Sequence, residues 1–249
     1  MDLQLTGSRV LVTGGTRGIG RAIVEAFAAE GATVEFCARS ADVCATAAAA
    51  IGDRVTGTAV DVGDAAALTA WVSDAAGRLG GIDVVVSNVS ALAIGEGEEN
   101  WRASFEVDLM GTVRLVTAAL PHLTESRGSI VAISSVSGRE IDFAAGPYGV
   151  MKAAIVHYVQ GLAYQLAASG VRANTVSPGN TYFEGGVWQQ IETGQPELFG
   201  TALGLNPTGR MGKPEEMARA VVFLASPVSS FTSGTNLVVD GALTRGVQL

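Results

Sequence analysis

Three observations in the sequence predict a doubly wound α/β fold, in which one parallel sheet carries helices on both faces. Short runs rich in valine and isoleucine alternate with longer segments of helical periodicity. The runs are almost continuously apolar, as strands buried on both faces are. Of the 249 residues, 48% are apolar, only 16% are charged and 32 are glycine, which suits a buried sheet with many tight turns. The length fits one domain, residues 1–249.

Seven strands and six helices are predicted in alternation along the chain. The strands are predicted at 9–14, 33–38, 55–60, 82–88, 129–134, 171–177 and 236–241. The helices are predicted at 20–31, 41–52, 64–81, 100–123, 148–170 and 213–227. Such alternation gives a seven-stranded parallel sheet joined by crossover helices. The stretch from Pro178 to about Lys213 fits neither pattern and is too long for an ordinary connection, so we expect a substrate lid or pocket wall at about 180–213.

Charge and composition exclude several classes of partner. The formal net charge is −8 and no dense run of Lys or Arg occurs, so nucleic acid and anionic membranes are poor partners. No apolar run is long enough to span a bilayer, and the N-terminal residues do not form a signal peptide, so we expect a cytoplasmic protein. Cys37 and Cys44 form neither a disulfide framework nor a metal-ligand pattern, and we expect no metal site.

The segment "VTGGTRGIG", residues 12–20, joins the first predicted strand to the first predicted helix. Gly14, Gly18 and Gly20 allow a tight turn and a close approach of the backbone to a ligand. The helix N-terminus that follows offers unpaired N–H groups to a pyrophosphate. Glycines in turns can be purely structural, but strand, glycines and helix in this order favour dinucleotide binding.

The end of the second strand indicates which dinucleotide is bound. An acidic residue at this position holds the ribose hydroxyls in folds of this kind. Here the strand ends in Ala38 and Arg39, and the one acid nearby, Glu35, lies in mid-strand. A guanidinium favours the 2′-phosphate of NADP(H), to which Arg17 could add a second charge. NAD(H) stays open as the alternative.

The segment "YGVMK" places Tyr148 and Lys152 one helical turn apart. Two interpretations are open, an acid–base pair or two polar residues on a helix surface. Reduction of a carbonyl by hydride needs a proton for the developing alkoxide, and oxidation needs a base for the alcohol. A free tyrosine, with a pKa of about 10, is a poor base at neutral pH, and a neighbouring ammonium would stabilise its phenolate.

Six short motifs follow one another along the chain between residues 13 and 241. They are "TGGTRGIG" at 13–20, "DVGD" at 61–64, "ISSVSG" at 133–138, "YGVMK" at 148–152, "RANTVSPG" at 172–179 and "VDG" at 239–241. With them the chain resembles the short-chain dehydrogenase/reductase family in its compact form. It is similar to carbonyl reductases of the 3-oxoacyl-carrier-protein reductase type. The resemblance implies a Rossmann fold and an oxidoreductase.

The resemblance also implies roles for individual residues. Ser135, 13 positions before Tyr148, would hydrogen-bond the substrate oxygen, while Tyr148 would act as the acid or base. Lys152 would stabilise the phenolate and hold the nicotinamide ribose. The implied cofactor-binding residues are Gly14, Thr16, Arg17, Gly18, Ile19, Gly20, Arg39, Ser40, Asp61, Val62, Asn88, Tyr148, Lys152, Pro178, Gly179 and Thr181.

Three positions depart from the family pattern. Asp108 stands where the family has a fourth catalytic residue, an asparagine that supports a helix kink and a proton-relay water. An aspartate keeps the oxygen but loses the amide donors, so Asp108 is a catalytic candidate that could instead be structural. The "SNVS" turn at 87–90 keeps Asn88 but carries bulkier residues after it. Thr181 is placed to meet the nicotinamide amide, whereas Phe183 stands at the family's later threonine.

These observations predict an NADP(H)-dependent oxidoreductase that interconverts a ketone and a secondary alcohol. A reductase of 3-oxoacyl thioesters shares most of the motifs and is the first alternative. A catalytically silent cofactor-binding or sensing protein is the second. Residues 182–203 carry Trp188 among other apolar side chains and could form a lid over an apolar substrate or a subunit contact. Glu184, Glu192 and Glu197 make this segment acidic, which disfavours an acyl-carrier-protein thioester. The resemblance implies a homotetramer.

Overall fold

A computed structural model describes residues 2–247. Met1, Gln248 and Leu249, the ends of the predicted domain 1–249, lie outside the described residues. Seven parallel strands form one sheet in the order β3-β2-β1-β4-β5-β6-β7. The strands are β1 Arg9–Thr13, β2 Thr33–Ala38, β3 Val55–Ala59, β4 Val84–Ser87, β5 Ser129–Ile133, β6 Arg172–Pro178 and β7 Asn236–Val239. The predicted fold class, a seven-stranded doubly wound sheet, is confirmed.

Helices cover both faces of the sheet. They are α1 Gly18–Ala29, α2 Ala41–Ile51, α3 Ala65–Leu79, α4 Glu98–Ser104, α5 Gly111–Ser126, α6 Pro147–Leu166, α7 Val187–Gly194, α8 Pro196–Gly204 and α9 Pro214–Ala225. Successive strand residues point to opposite faces. Val10 and Val12 therefore pack against α1 and α9, whereas Leu11 packs against α3, α5 and α6. No helix within residues 2–247 is long and apolar enough to cross a membrane.

The helix predicted at 100–123 is not one regular helix. A π-helical segment, Phe105–Met110, lies between α4 and α5. Such a segment widens the helix and frees backbone carbonyls from the regular ladder. Asp108 lies within it, and the hydroxyl of Thr112 donates to the Asp108 carbonyl oxygen at 2.7 Å.

The segment 180–213 has more regular structure than the sequence indicated, because it contains α7 and α8. A bridge between Thr181 and Gly212 joins its two ends. Trp188, Ala202 and Met211 form a small buried cluster of its own. The guanidinium of Arg210 ties the segment to α9 through Glu216, and this hydrogen bond lowers the pKa of Glu216 to about 2.

The order of the strands fixes where a ligand can bind. Between β1 and β4 the chain changes direction across the sheet, and the crevice at the carboxyl ends of these strands is open. The turn from β1 to α1 and the ends of β4, β5 and β6 all meet at this edge. The predicted site residues lie at these strand ends and at the start of α6.

Candidate active site

A cleft of about 900 Å³ opens at the carboxyl edge of the sheet. It has the size of small-molecule sites, which are usually concave and mostly apolar with a few polar groups. It is lined by most of the predicted site residues: Gly14, Thr16, Arg17, Ile19, Gly20, Arg39, Ser40, Asp61, Val62, Asn88, Ser135, Tyr148, Lys152, Pro178, Gly179 and Thr181. The structure thus brings together residues that are up to 167 positions apart, from Gly14 to Thr181. Gly18 and Asp108 are the two predicted site residues outside this lining.

The turn between β1 and α1 packs so closely against its own neighbours that a Cβ would not fit at Gly14 or Gly20. Gly14 has a φ of 76°. A Cβ at Gly20 would lie 2.1 Å from the carbonyl oxygen of Gly14, so the helix can start this close to the strand only with glycine. Arg17, at the N-cap of α1, makes no side-chain cap bond, and the first turn has no acidic residue. The N–H groups of α1 are therefore available to an anion.

Asn88 shapes this turn from the neighbouring strand. Its amide nitrogen donates to the carbonyl oxygens of Thr13 at 3.0 Å and of Gly14 at 3.3 Å. Its backbone N–H donates to the Thr13 hydroxyl at 3.0 Å. The amide nitrogen of Asn88 therefore holds the turn between β1 and α1 in place. Asn88 also lines the cleft.

The positive charges at one end of the cleft are free of acidic partners. Arg39 and Ser40 follow the end of β2, and both are exposed. None of the seven ion pairs among the described residues includes Arg39 or Arg17. The acid nearest in sequence, Glu35, is buried and accepts from Nε and Nη2 of Arg78 at 2.8 and 2.6 Å. Glu35 therefore cannot act at the strand end.

Tyr148 and Lys152 lie at the start of α6, which begins at Pro147. Proline is favoured at the first helical position because its fixed φ suits the helix and its missing N–H would be unpaired there. The Lys152 ammonium lies 5.5 Å from the centroid of the Tyr148 ring and is only 2% exposed. The hydroxyl of Ser134 donates to the carbonyl oxygen of Lys152 at 2.8 Å and holds α6 against β5.

Asp108 explains how a lysine can be buried at this position. Its Oδ1 lies 3.1 Å from the Nζ of Lys152, which also donates to the Ile133 carbonyl oxygen at 3.1 Å. Its Oδ2 accepts from the backbone N–H of Ala91 at 3.0 Å. The expected acceptor role towards a backbone N–H is present, but the carboxylate is 1% exposed and lies behind Lys152. Asp108 therefore contacts two residues that line the cleft, Lys152 and Ala91, and does not itself line it.

Ser135 is connected to a second acid that the sequence analysis did not single out. Its Oγ lies 3.3 Å from the Oγ of Ser137, which donates to Oδ2 of Asp142 at 2.6 Å. Oδ1 of Asp142 accepts from the N–H of Ala144 at 2.8 Å. Asp142 lines the cleft. Its position in the 12-residue loop between Ser135 and Tyr148, both at the cleft, was the available signal.

Part of the segment 180–213 forms an aromatic wall of the cleft. Trp188 lies edge-on to Phe143, with ring centroids 5.6 Å apart, and both rings line the cleft. Trp188 also belongs to the buried cluster of the segment, so it serves packing and lining together. Phe183 covers Gly18, because a Cβ at that glycine would lie 2.5 Å from the ring. The hydroxyl of Thr181 donates to the Gly179 carbonyl oxygen at 3.0 Å.

Within residues 2–247, no group of three or more His, Cys, Asp or Glu side chains is arranged to hold a metal ion. Cys37 is one of the two cysteines of the chain, and burial raises the pKa of its thiol to about 12. The polar side chains of the cleft lining are hydroxyls, carboxylates, amides, guanidinium groups and one ammonium.

Known proteins are similar in sequence to this chain over nearly its whole length. A family model described as enoyl-(acyl carrier protein) reductase matches residues 14–244. The chain is 43% identical to the isoepoxydon dehydrogenase patN of Penicillium expansum, with 98% of this chain and 97% of that protein covered. It is 32% identical to the 3-oxoacyl-[acyl-carrier-protein] reductase FabG of Vibrio cholerae, with 97% and 99% covered.

A solved structure shows the same fold. It is a short-chain dehydrogenase/reductase of Serratia marcescens in a doubly substituted form, and it superimposes with a TM-score of 0.88 at 31% identity. The alignment covers 96% of this chain and 98% of that one. The family model, the relatives and this structure agree with the motifs that the sequence carries. The chain belongs to the short-chain dehydrogenase/reductase family and is an oxidoreductase of the class that acts on alcohols and ketones.

Proposed function

We propose that the protein is an NADP(H)-dependent oxidoreductase that interconverts a ketone and a secondary alcohol. The observation that carries the proposal is the shared cleft. Ser135, Tyr148 and Lys152 line the same cavity as the glycine-rich turn between β1 and α1. A cofactor held at the turn and a substrate held at the serine would meet inside one cavity.

The cleft fits a nicotinamide dinucleotide on three grounds. Gly14 and Gly20 allow α1 to begin directly beside the end of β1, and the N–H groups of α1 are free for a pyrophosphate. Asp61 and Val62 line the cleft beyond β3, where the family would place the adenine. Arg39 is exposed, unpaired among the described residues and next to the uncapped N-terminus of α2. A 2′-phosphate suits such a site better than a bare hydroxyl. NAD(H) is the alternative.

The bound nicotinamide would supply or accept the hydride, and the residues of the chain would manage the proton and the substrate oxygen. Tyr148 would donate its phenolic proton to the oxygen of a reduced ketone, or take the proton of an alcohol that is oxidised. Lys152 would stabilise the phenolate that is formed. Ser135, whose hydroxyl donates to Ser137 in this structure, would turn that proton to the substrate oxygen and hold it beside the phenol. In this scheme Asp108 is a positioning residue, because it is outside the cleft lining and contacts two lining residues, Lys152 and Ala91.

The walls of the cleft favour a substrate with an apolar face. The apolar side chains in the lining include Phe143, Trp188, Leu92, Ile94 and Val187. We propose that the segment 180–213 is the lid that covers this substrate. Glu184, Glu192 and Glu197 make that segment acidic, and the chain carries a net charge of −8. Both features disfavour an acidic carrier protein.

Two rival functions are separable from this proposal. Reduction of 3-oxoacyl thioesters has support from the similarity to FabG. A silent cofactor-binding protein would keep the glycine-rich turn but would have no need of Ser135, Tyr148 and Lys152 in the same cavity. We propose further that the protein is cytoplasmic and works as a homotetramer on a small-molecule substrate.

A spectrophotometric screen tests the proposal. The enzyme is mixed with NADPH or NADH and a panel of cyclic, aromatic and aliphatic ketones, with a 3-oxoacyl thioester included, and the absorbance of the reduced nicotinamide is followed. We expect turnover of simple ketones with NADPH. Turnover of the thioester alone would establish the first rival. The same panel is run in reverse with NADP+ or NAD+ and the corresponding alcohols, and cofactor binding without turnover in either direction would establish the silent protein.

A further inference from the structure

Asp142 is a carboxylate in the wall of the cleft without a cationic partner among the described residues. None of the seven ion pairs in the described part of the chain includes it. Each of its oxygens accepts one hydrogen bond, from the Ser137 hydroxyl and from the Ala144 N–H. A carboxylate oxygen can accept more than one bond, so acceptor capacity remains towards the cleft. The lining contains one other carboxylate, Asp61, on the far side at the end of β3.

The hydrogen bonds in the loop between Ser135 and Tyr148 have a defined donor-to-acceptor direction. Ser137 has one hydroxyl proton and gives it to Asp142, so it can only accept from Ser135. The N–H of Ser137 donates to the Oγ of Ser135 at 3.1 Å. Ser135 and Asp142 therefore belong to one network. Its two bonds, of 3.3 and 2.6 Å, keep Oδ2 of Asp142 within about 6 Å of Ser135 Oγ.

This spacing fits a substrate with two neighbouring oxygens. Hydroxyl-to-oxygen hydrogen bonds are about 2.8 Å long. A substrate oxygen bound to Ser135 and a hydroxyl on the adjacent carbon can therefore reach both ends of the network. A carboxylate accepts hydrogen bonds and donates none, so the second group has to be a donor.

We propose that Asp142 binds a hydroxyl group on the carbon next to the reacting carbon, so that the preferred substrates are vicinal hydroxyketones and diols with an apolar face. The proposal rests on the proposed function and names its substrate class. A ketone that lacks the hydroxyl would displace water from Asp142 without replacing its hydrogen bonds. Sites built to bind a substrate hydroxyl reject analogues without it for this reason.

The test compares cyclohexanone with 2-hydroxycyclohexanone, with NADPH and NADH, in the wild-type protein and three variants. Asp142→Leu removes the acceptor, and Asp142→Asn removes the charge but keeps an oxygen for the Ala144 N–H. Glu96→Gln is the matched control, because Glu96 is exposed and lies outside the cleft lining. The readout is the ratio of kcat/KM for the hydroxyketone to kcat/KM for the plain ketone.

We expect a ratio of at least about 10 in the wild-type protein, since a hydrogen bond to a charged group contributes a factor of this size. The ratio falls towards one in Asp142→Leu, falls partly in Asp142→Asn and is kept in Glu96→Gln. A wild-type ratio near one, or an equal ratio in Asp142→Asn, overturns the proposal while the proposed function stands. Preference for 2-aminocyclohexanol over 1,2-cyclohexanediol in oxidation also overturns it, because an ammonium would then be the partner. No turnover of any compound overturns the proposed function, and this inference with it.

Discussion

At the scale of single residues, Arg39 carries the proposed preference for NADP(H). It is exposed and lines the cleft. Glu35, the nearby acid that could have bound the ribose hydroxyls of NAD(H), is paired with Arg78. Replacing Arg39 with Asp removes the phosphate partner and adds a repulsive charge. We expect the ratio of kcat/KM with NADPH to that with NADH to fall by a factor of about 10 or more.

The control for this variant is Arg219→Asp, which makes the same charge change at an exposed position of α9 outside the cleft lining. Steady-state kinetics with both cofactors gives the ratio. If Arg39→Asp and Arg219→Asp share the wild-type ratio, Arg39 does not contact the cofactor phosphate.

Asp108 carries the second residue-scale prediction, which concerns stability. Asp108→Leu leaves the Lys152 ammonium buried without its carboxylate and leaves the Ala91 N–H unpaired. We expect a loss of about 3–5 kcal/mol in the free energy of unfolding, measured with urea. Asp108→Asn keeps an acceptor for the Ala91 N–H and should lose less. Equal losses in the two variants would show that the Ala91 N–H contact contributes little, and an unchanged free energy in Asp108→Leu would contradict the prediction.

At the scale of secondary-structure elements, Arg172 fastens the end of α9 to the sheet. Its guanidinium donates to the carbonyl oxygens of Leu224 at 2.6 Å, Ala225 at 2.8 Å and Ser226 at 3.0 Å. These carbonyls end the helix and have no partner within it. Burial lowers the pKa of Arg172. The group is thus a partly buried cap of α9.

Arg172→Met keeps much of the side-chain volume but leaves the Ala225 carbonyl unpaired, while the Leu224 and Ser226 carbonyls keep their bonds to Ser229. We expect a loss of about 1–3 kcal/mol in the free energy of unfolding, which is the cost of one unpaired buried group. Arg219→Met on the exposed side of the same helix is the control and should change stability by less than about 0.5 kcal/mol. Urea unfolding that gives the two variants the same midpoint would disprove the capping role.

The elements also show how far the sequence determines the fold. β2 is observed at the predicted residues, 33–38, because a short run that is mostly apolar and bounded by turns favours a buried strand. α7 and α8 were missed, since two helices of eight and nine residues around Gly194 and Pro196 give almost no periodic signal. The π-helical segment at 105–110 was missed because one extra residue in a turn leaves the hydrophobic pattern nearly intact.

The site residues, like the elements, were predictable only where a local sequence pattern marks them. The glycine-rich turn, Ser135, Tyr148 and Lys152 were predictable, because each belongs to a motif with a fixed spacing and a chemical reason. Asp142 was not singled out, because its contact with Ser137 depends on how an irregular loop folds. The pairing of Asp108 with Lys152, 44 positions away, likewise follows from packing and not from local sequence.

At the scale of the whole molecule, the surface supports assembly. Phe231 and Tyr164 are almost fully exposed, at 104% and 89%. β7 is an edge strand, and such edges are usually covered or paired. We expect sedimentation equilibrium to give a mass of about four times the 25.4 kDa chain. Phe231→Asp should lower that mass, because burial of this exposed ring between subunits would stabilise the assembly and burial of a carboxylate would not. A mass of one chain at micromolar concentration would contradict the homotetramer.

The central claim is that Tyr148 transfers the proton in a reaction whose hydride comes from a bound nicotinamide. Tyr148→Phe removes only the hydroxyl and leaves the ring beside Lys152. The most direct test measures, in the same preparation, the dissociation constant for NADPH and kcat with the best ketone from the screen. We predict a dissociation constant within about twofold of wild type and a kcat lowered by a factor of about 100 or more. A Tyr148→Phe variant that binds NADPH and turns over the ketone at the wild-type rate would contradict the account.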